Sequence, residues 1–314
     1  MKKYILMFSF CLLSVTGLIR AKDSVSTDWM ALFISGAKSG YMKAYREVKE
    51  TKVSTTITMH MQLNRGPNSI SITSSEQHIE SIDGKPLGFL VKISGAGTKQ
   101  EIKGKINNEG ILKIETKVGP KISSITKQWP EGALLAEGLR ILQKKKGISR
   151  GLSYDVKCFQ PSVFDAPACK ISFGNKEKVD LLGRVMLLNE MKTEMIFQGA
   201  SMVTTSYVGK DLTTMKTIMP LMGMELTLIA CDSIYAMSTN EPNTFFNNLI
   251  VSSPKKLPEK TSKRIKYTIN PISPENKLSI ASTDEQVVKE SANDNSIEII
   301  VQLPESPEGE TLPY

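Results

Sequence analysis

Hydrophobic and polar residues alternate along much of the chain. In the longest such stretch, from Val53 to Leu63, the odd positions carry Val, Thr, Ile, Met, Met and Leu, and the even positions are polar. A two-residue period predicts a long strand with one buried face. Turn residues follow at 65–68, and the alternation resumes at Ile70 and Ile72. Similar short runs bounded by turn signals follow, so the chain is predicted to form an antiparallel meander.

One segment departs from this pattern. Between Pro130 and Lys146, leucines recur at helical spacing; Pro130 suits a first helical turn and Gly147 a left-handed stop. The spacing predicts an amphipathic helix over 130–146. Its apolar stripe requires a sheet to cover it. The predicted fold is therefore mainly β: an antiparallel curved sheet or half-open barrel wrapped over one long helix.

Strand-like patterning returns after this helix. It runs from Gly151 to about Met237, and apolar spacing then predicts a second, shorter helix over 241–250. Together these segments define a predicted main domain over 24–251, a length within the usual range for a single all-β domain.

The composition changes beyond the main domain. Prolines and charges mark 252–264 as a linker. Alternation resumes over 265–303, which predicts a small strand-rich C-terminal extension. The segment 304–314 is rich in proline and acidic residues, and we expect it to lack order on its own.

The N-terminus has the pattern of an export signal. Two lysines precede an apolar run from Tyr4 to Ile19, and Ala21 follows. This order predicts a signal peptide over 1–21 and export to the periplasm or the extracellular space. The run is shorter than the roughly 20 apolar residues that a transmembrane helix needs. An uncleaved N-terminal tether is the alternative, because the residues just before Ala21 make a poor cleavage site.

The chain is basic, but its charge is dispersed. Lysine and arginine total 40 against 32 aspartates and glutamates, and without the predicted signal the totals are 37 and 32. Nucleic-acid binding would need basic clusters interleaved with aromatic residues, and aromatics make up only 6% of the chain. The charge is therefore interpreted as a solvated surface, with weak attraction to anionic envelope material as the alternative.

Three cysteines lie in the exported part. Cys158 and Cys169 flank a ten-residue segment with two prolines that suits the loop of a hairpin. In an oxidising compartment this pair is a candidate disulfide, which leaves Cys231 as the odd thiol. Two unrelated buried thiols are the alternative, because spacing alone does not bring two α-carbons within bonding range.

Side chains for hydrolytic or metal chemistry are scarce. The exported part has two histidines, His60 and His78, and both are predicted to be surface or rim side chains. Cys231 has Asp232 beside it, but a cysteine nucleophile also needs a histidine base, and none follows it in the sequence. No two Cys or His residues have the close spacing of zinc ligands. The sequence thus predicts no catalytic residue, no cofactor and no enzymatic activity of its own.

Methionines concentrate in the second half of the chain. Nine of fifteen lie between Met186 and Met237, among them Met219, Met222 and Met224 in an M-x-x-M-x-M arrangement. These thioethers are a weak candidate site for Cu(I). Two alternatives stay open: methionine is an adaptable filler of apolar cores, and a methionine-lined groove suits the binding of varied lipids or peptides.

Several short motifs occur in an order that resembles one family. They are Asp28-Trp29-Met30-Ala31-Leu32-Phe33, Gly36-Ala37-Lys38-Ser39-Gly40-Tyr41, Arg65-Gly66, Asp83-Gly84-Lys85-Pro86-Leu87, Trp129-Pro130-Glu131-Gly132-Ala133, Gly151-Leu152-Ser153-Tyr154 and the linker between Pro254 and Pro258. In this order they resemble the region that precedes the catalytic domain in exported bacterial transglutaminase-like proteins. The resemblance extends over nearly the whole exported part.

The resemblance implies a non-catalytic accessory module. The family would add a papain-like domain with a Cys, His and Asp set after Tyr314, and no position here matches those residues. Such a module would bind or position a protein or envelope partner, and a separately encoded transglutaminase-like catalytic domain is one such partner. The alternative is a free-standing periplasmic carrier that holds a lipid or peptide in an apolar, Met-rich groove.

The accessory role predicts a particular neighbour in the genome. The adjacent downstream reading frame is expected to encode a Cys, His and Asp domain, because in this family the catalytic domain follows the region that the chain resembles. Sequencing that frame checks the prediction. A neighbouring frame without such a domain would count against the accessory role and in favour of the carrier.

Overall fold

The chain is mainly β and forms two compact units, Met1–Leu249 and Ile250–Tyr314. The computed structural model describes residues 24–65, 68–95, 97–197, 200–221, 224–241, 264–270, 280, 282, 286–290 and 296–302. Four predicted segments lie outside these residues: the signal over 1–21, the shorter helix over 241–250, the linker over 252–264 and the tail over 304–314. The exceptions are Glu241, at the start of the shorter helix, and Arg264, at the end of the linker. The predicted domain bounds stay predictions.

The first unit is built on one large sheet with two short helices, α1 (Ala136–Lys146) and α2 (Ser233–Met237). Its strands are β1 Ser24–Ile34, β2 Ala37–Lys49, β3 Lys52–Arg65, β4 Asn68–Ser81, β5 Pro86–Gly95, β6 Thr98–Ile106, β7 Ile111–Val118, β8 Lys121–Gln128, β9 Ala133–Leu134, β10 Ser153–Cys158, β11 Ala168–Leu181, β12 Arg184–Phe197, β13 Ala200–Val208, β14 Thr214–Leu221 and β15 Met224–Cys231.

The strand order confirms the predicted antiparallel meander. The sheet runs β8-β7-β6-β5-β4-β3-β2-β1-β15-β14-β13-β12-β11-β10-β9. It thus consists of two meanders, β1 to β8 and β10 to β15, that join where β1 pairs antiparallel with β15. The β9–β10 pair is parallel. Strand β3 contains the predicted alternation, with Val53, Ile57 and Met61 buried.

Strand alternation sends most apolar side chains to one face of the sheet. Three clusters lie on this inner face, one around Met61, one around Phe89 and one around Phe173. On the outer face, Val179 and other residues from the far end of the β11–β12 hairpin pack on Phe33 and its neighbours in β1 and β15. The inner face therefore holds the larger part of the core.

The two edges of the sheet meet through side chains. After β8, at one edge, the chain passes through Trp129 and reaches β9 at the other edge. The Trp129 ring lies on Phe159, with centroids 4.4 Å apart, and Phe159 also contacts Phe89 of β5 at 5.5 Å. Lys127 of β8 donates a hydrogen bond to the carbonyl oxygen of Phe164. The sheet is therefore strongly curved.

The predicted long helix over 130–146 is wrong at its start. Helix α1 begins at Ala136 and has 11 residues. Ala133 and Leu134 instead form β9, where they pair with Lys157 and Cys158, and the Leu134 carbonyl accepts the N–H of Phe159 at 2.9 Å. Long-range sheet pairing thus overrides local helical spacing. The end agrees with the prediction, because Gly147 has a positive φ of 73°.

Side chains from the sheet cap the N-terminus of α1. The Leu135 N-cap makes no side-chain cap hydrogen bond. Instead, the N–H groups of Glu137 and Gly138 donate to the Glu80 carboxylate at 2.6 and 2.9 Å, and Glu80 is completely buried. The Ala136 N–H donates to Nδ1 of His78 at 3.3 Å. Strand β4 thus satisfies helix donors that would otherwise lie unpaired.

A buried ion cluster adds a second connection between α1 and the sheet. The Glu137 carboxylate accepts two hydrogen bonds from Arg46 of β2, both at 2.9 Å, and two from Arg140. Burial opposes ionisation of Glu137, but the hydrogen bonds from both arginines outweigh it and lower the pKa of this carboxyl. Glu137 therefore stays ionised between two guanidinium groups.

Two glycines let the helix approach the sheet closely. A Cβ on Gly138 would lie 2.9 Å from the carbonyl oxygen of Gly84, in the turn after β4. A Cβ on Gly84 would lie 2.6 Å from the Cα of Gly138, and the φ of Gly84 is +77°. The turn and the helix are thus in backbone contact at this point, next to the Glu80 cap.

The second unit contains a small antiparallel sheet. Strands β16 (Arg264–Ile269), β17 (Gln286–Glu290) and β18 (Ile297–Gln302) are ordered β16-β18-β17. Ile297 and Ile300 of β18 are buried. Among the described residues of both units, no helix has the length and apolar character needed to cross a membrane.

The ion cluster predicts a stability that depends on pH. Glu137→Gln is expected to lower the free energy of unfolding by about 3 kcal/mol at neutral pH, because its two partly buried arginine partners lose their buried counter-charge. The folded pKa of Glu137 is depressed, so this stabilisation is present above the ordinary glutamate pKa of about 4.3 and is lost as the pH falls through the folded value. Urea unfolding at neutral and acidic pH measures both.

The matched control is Glu109→Gln, because Glu109 is an exposed glutamate in the β6–β7 turn. It should change the stability little at either pH. Equal losses in the two variants, or a Glu137→Gln loss that persists undiminished in acid, would contradict the role given to the ion cluster.

Candidate functional site

A partly open pocket of about 360 Å³ lies among β1, β2, β14 and β15. Its apolar lining includes Met30, Met42, Ala44 and Ala230. Met30, Met42 and Ala44 are almost fully buried, and Ala230 is half-buried. The pocket therefore has a buried apolar part, and its volume lies at the low end of the range of ligand sites, about 300–1,000 Å³.

Strand register explains where this pocket forms. Met30 lies opposite Met42 on β2 and opposite Ala230 on β15, so the three residues share a row across the inner face. The β1–β15 pairing starts at Trp29 and Cys231, while β1 itself starts at Ser24. The first residues of β1, Asp28 included, therefore have no β15 partner, and the sheet opens beside them.

The exposed end of the pocket is acidic. Asp28 and Asp232 line it and retain solvent exposure. Partial loss of water raises the pKa of Asp28, and the negative charge of Asp211 raises it further. Burial opposes the ionisation of Asp211, but hydrogen bonds from Thr213 outweigh it and lower the pKa of Asp211, with Lys144 as a smaller favourable influence. Carboxylates thus outnumber cations among these groups.

One buried polar group also lines the pocket. Thr214 is 8% exposed, and its hydroxyl has no hydrogen-bond partner among the described residues. An unpaired buried hydroxyl lowers stability unless something else satisfies it. The pocket therefore combines apolar surface, acidic groups and an available hydroxyl, which are the features of a small-molecule site.

The predicted chemical residues are not brought together in the described part of the chain. Cys231 lines the pocket beside Asp232, but burial raises the pKa of its thiol, with Asp232 adding to the effect. His60 stacks on Tyr41 with centroids 5.5 Å apart and contacts Thr73 at 3.1 Å. Cys231 therefore has neither a depressed pKa nor a histidine base at this pocket.

The prediction that His78 lies at the surface is wrong. His78 is 2% exposed, and its Nδ1 accepts the Ala136 N–H. Its Nε2 must then carry the proton, which it donates to Glu76 at 2.6 Å. Position 78 lies on the same face of β4 as Glu80, beneath α1, so the buried helix end accounts for both polar residues. His78 is a structural residue here.

The weak Cu(I) candidate of three methionines falls only partly on the described residues. Met222 lies outside them. Met219 and Met224 pack against the inner-face cluster around Met61. Their position agrees with the packing alternative. Among the described residues, no group of three or more His, Cys, Asp or Glu side chains could hold a metal ion.

Cys158 and Cys169 lie side by side on the inner face. Cys169 is paired with Val156 in the β10–β11 ladder, so Cys158 is its diagonal neighbour. Both are buried, and the hydrogen bond from Cys158 lowers the pKa of the Cys169 thiol. The predicted disulfide stays a prediction; the pair is a thiol pair in this structure.

One motif has the spacing of a catalytic serine, but its structural context does not fit that role. Gly147-Ile148-Ser149-Arg150-Gly151 has the Gly-x-Ser-x-Gly spacing of a hydrolase nucleophile elbow. That elbow requires a strand before the serine and a helix after it. Here the order is reversed, because Ser149 lies between the end of α1 and the start of β10. Ser149 is therefore an exposed loop residue rather than a nucleophile.

A second cavity lies elsewhere on the sheet. It is an open groove of about 540 Å³ across β4 to β7 that includes Lys92, Lys99 and Lys117. Its charges are partly compensated, since Lys92 lies 3.7 Å from Glu101. The described residues that line this groove are exposed or half-buried, and none of them is fully buried. The pocket beside β1 is the better candidate, because buried apolar residues shape it.

Comparison with known proteins identifies no family. No family model matches the chain, and no curated protein matches it. Among solved structures, the chain is similar to a beta-barrel-like protein of domain of unknown function DUF1849 from Brucella abortus. The TM-score is 0.48 and the identity 11%, over 66% of this chain and 95% of that chain. The resemblance to transglutaminase-like proteins stays a prediction.

The acidic end of the pocket predicts a coupled titration. Asp211→Asn is expected to lower the pKa of Asp28 towards its ordinary value, because the substitution removes a neighbouring negative charge. The amide oxygen can still accept the Thr213 N–H, so the turn is retained. Carboxyl NMR titration of Asp28 measures the shift. An unchanged or higher pKa would contradict the proximity of the two groups.

Proposed function

We propose that this protein is a non-catalytic binding protein that holds the apolar part of a small amphiphile in the pocket beside β1. One observation carries the proposal: Met30, Met42 and Ala44 give the pocket a buried apolar end, whereas its exposed end is acidic. Burial of apolar ligand surface would drive binding, at roughly 25 cal/mol for each Å² removed from water. Flexible methionine side chains can adapt to ligands of different shape.

Charge favours one end group for the ligand. Asp28, Asp211 and Asp232 lie in or near the exposed end, and Lys144 is the cation that interacts with Asp211. A ligand with an ammonium group would find complementary charge there, whereas a carboxylate would be repelled. The small volume suits a short alkyl chain or a part of a lipid.

We also propose that the large sheet forms a half-open barrel. The contacts of Trp129 and Phe159 between the sheet edges support a half-open barrel, with α1 held on its inner face by Glu80 and Arg46. Such a barrel would shield the apolar end of a ligand. The proposed location is the periplasm or the extracellular space, as the predicted signal implies.

A second candidate function rests on sequence alone. The motif order favours an accessory module that positions a transglutaminase-like catalytic domain or another envelope protein. Ligand binding and such a role are compatible, because an accessory module can also bind a small molecule. The adjacent reading frame tests the second role independently of the pocket.

Binding of paired probes tests the proposed function. Isothermal titration with octylammonium and octanoate is expected to show tighter binding of the ammonium, because the two probes differ chiefly in the charge of the end group. Ala230→Leu should weaken both probes, since the added side chain fills the apolar end. Asp28→Asn should reduce the affinity for octylammonium by about threefold, the size expected of a partly exposed ion pair.

Asp155→Asn is the matched control, because Asp155 is exposed on β10 and does not line the pocket. It should leave both affinities unchanged. Absence of binding by the wild-type chain, or equal binding by the wild-type and Ala230→Leu proteins, would contradict the proposed function.

A further inference from the structure

Three sulfur-containing residues of neighbouring strands lie close together on the inner face. Cys169 of β11 lies directly opposite Met195 of β12 in the strand register. Cys158 of β10 donates a hydrogen bond to the Cys169 sulfur. All three residues are buried, with exposures of 4% for Cys158, 2% for Cys169 and 3% for Met195. This sulfur cluster of Cys158, Cys169 and Met195 therefore lies away from bulk water.

A small void lies among these side chains. Its volume is about 10 Å³, and Cys158, Cys169 and Met195 line it together with Leu139 and Gln143 of α1. A space of this size accommodates about one water-sized particle. The void is therefore too small for an organic ligand and large enough for a single ion.

The Gln143 amide adds a polar group to the same void. Gln143 is 1% exposed, and its Oε1 has no hydrogen-bond partner among the described residues. Its Nε2 contacts the Met191 sulfur at 3.9 Å. In folded proteins, a bound water or ion commonly satisfies a buried amide oxygen that has no protein partner. The void beside Gln143 provides the space for one.

We infer that Cys158, Cys169 and Met195 form a binding site for one Cu(I) ion. Thiolate and thioether sulfurs are the soft ligands that select Cu(I). A closed structural zinc site would instead use four ligands from Cys and His, and only two cysteines are available here. Binding forms two Cu–thiolate bonds and one Cu–thioether bond, and the two thiol protons pass to solvent. The oxidation state of copper does not change.

This site differs from the predicted methionine set. Met219 and Met224 pack in another cluster, and none of the cysteines that the structure describes belongs to that cluster. The sulfur cluster is also separate from the proposed ligand pocket, because the two cavities share no lining residue among those described. Copper binding therefore goes beyond the proposed function and can fail or succeed independently of it.

A competition experiment tests the copper site. The full chain is reduced, kept free of oxygen and given Cu(I) in competition with the chromophoric chelator bicinchoninate. The wild-type protein is expected to retain one Cu(I) per chain. Met195→Leu, which conserves side-chain volume, should weaken binding at least about tenfold, since even changes outside the ligand shell cost about 10- to 100-fold in metal affinity. Cys158→Ser should lose binding.

Met59→Leu is the matched control. Met59 is buried like Met195, with an exposure of 4%, but it belongs to the cluster around Met61 and does not line the void. It should bind Cu(I) like the wild-type protein, and thermal unfolding of the metal-free variants verifies that each is folded. Failure of the reduced wild-type chain to retain Cu(I) would overturn the inference and leave a water on Gln143 as the occupant. Equal affinities of Met195→Leu and Met59→Leu would overturn it as well.

Discussion

The buried carboxylate of Glu80 accepts the N–H groups of Glu137 and Gly138, donors that α1 cannot satisfy from its own sequence. A helix end buried without such partners would leave several polar groups unpaired, at a cost of about 1–3 kcal/mol for each. The cap therefore fixes the position of α1 on β4. Gly84 and Gly138 permit the close approach, and Glu137 extends the connection to Arg46 of β2. Placement of Leu139 in the cluster with Cys158 and Cys169 depends on this helix position.

The same curved sheet forms two separate candidate binding sites. Strand pairing across β1 and β15 aligns Met30 with Ala230 and leaves Asp28 without a β15 partner, which opens the pocket. Pairing across β10, β11 and β12 brings Cys158, Cys169 and Met195 together. Both places lie on the inner face, where alternate residues of every strand converge. Among the described residues that line them, neither place combines a nucleophile with a histidine base.

Local patterns predicted part of this fold. The alternation from Val53 to Leu63 predicted β3, because one side of that strand faces the core along its length. Helical spacing predicted α1 and its end at Gly147, but pairing of Leu134 with Cys158, 24 positions further along, decided where α1 begins. Local pattern also predicts a surface position for His78, which is wrong because the helix that covers His78 lies 58 residues further along the chain.

Local sequence patterns do not predict the pocket either, because the residues that form it are far apart in the sequence. Met30 and Ala230 are distant in the sequence, and only their strand register makes them neighbours. Asp28, Trp29 and Met30 belong to one of the motifs that resemble transglutaminase-like proteins. The sequence around them does not show that the pairing with β15 stops at Cys231. A signal did exist for α2, since Asp232 precedes it and accepts the Tyr235 N–H as an N-cap does.

The central claim is that the pocket beside β1 holds the apolar part of a natural ligand. Mass spectrometry of an organic extract tests it most directly, with the protein purified from its own cells without detergent. The account predicts an amphiphile in near-stoichiometric amount from the wild-type protein and much less from Ala230→Leu, in which the apolar end is filled. Extracts without any such molecule, or with equal amounts from both proteins, would contradict the claim.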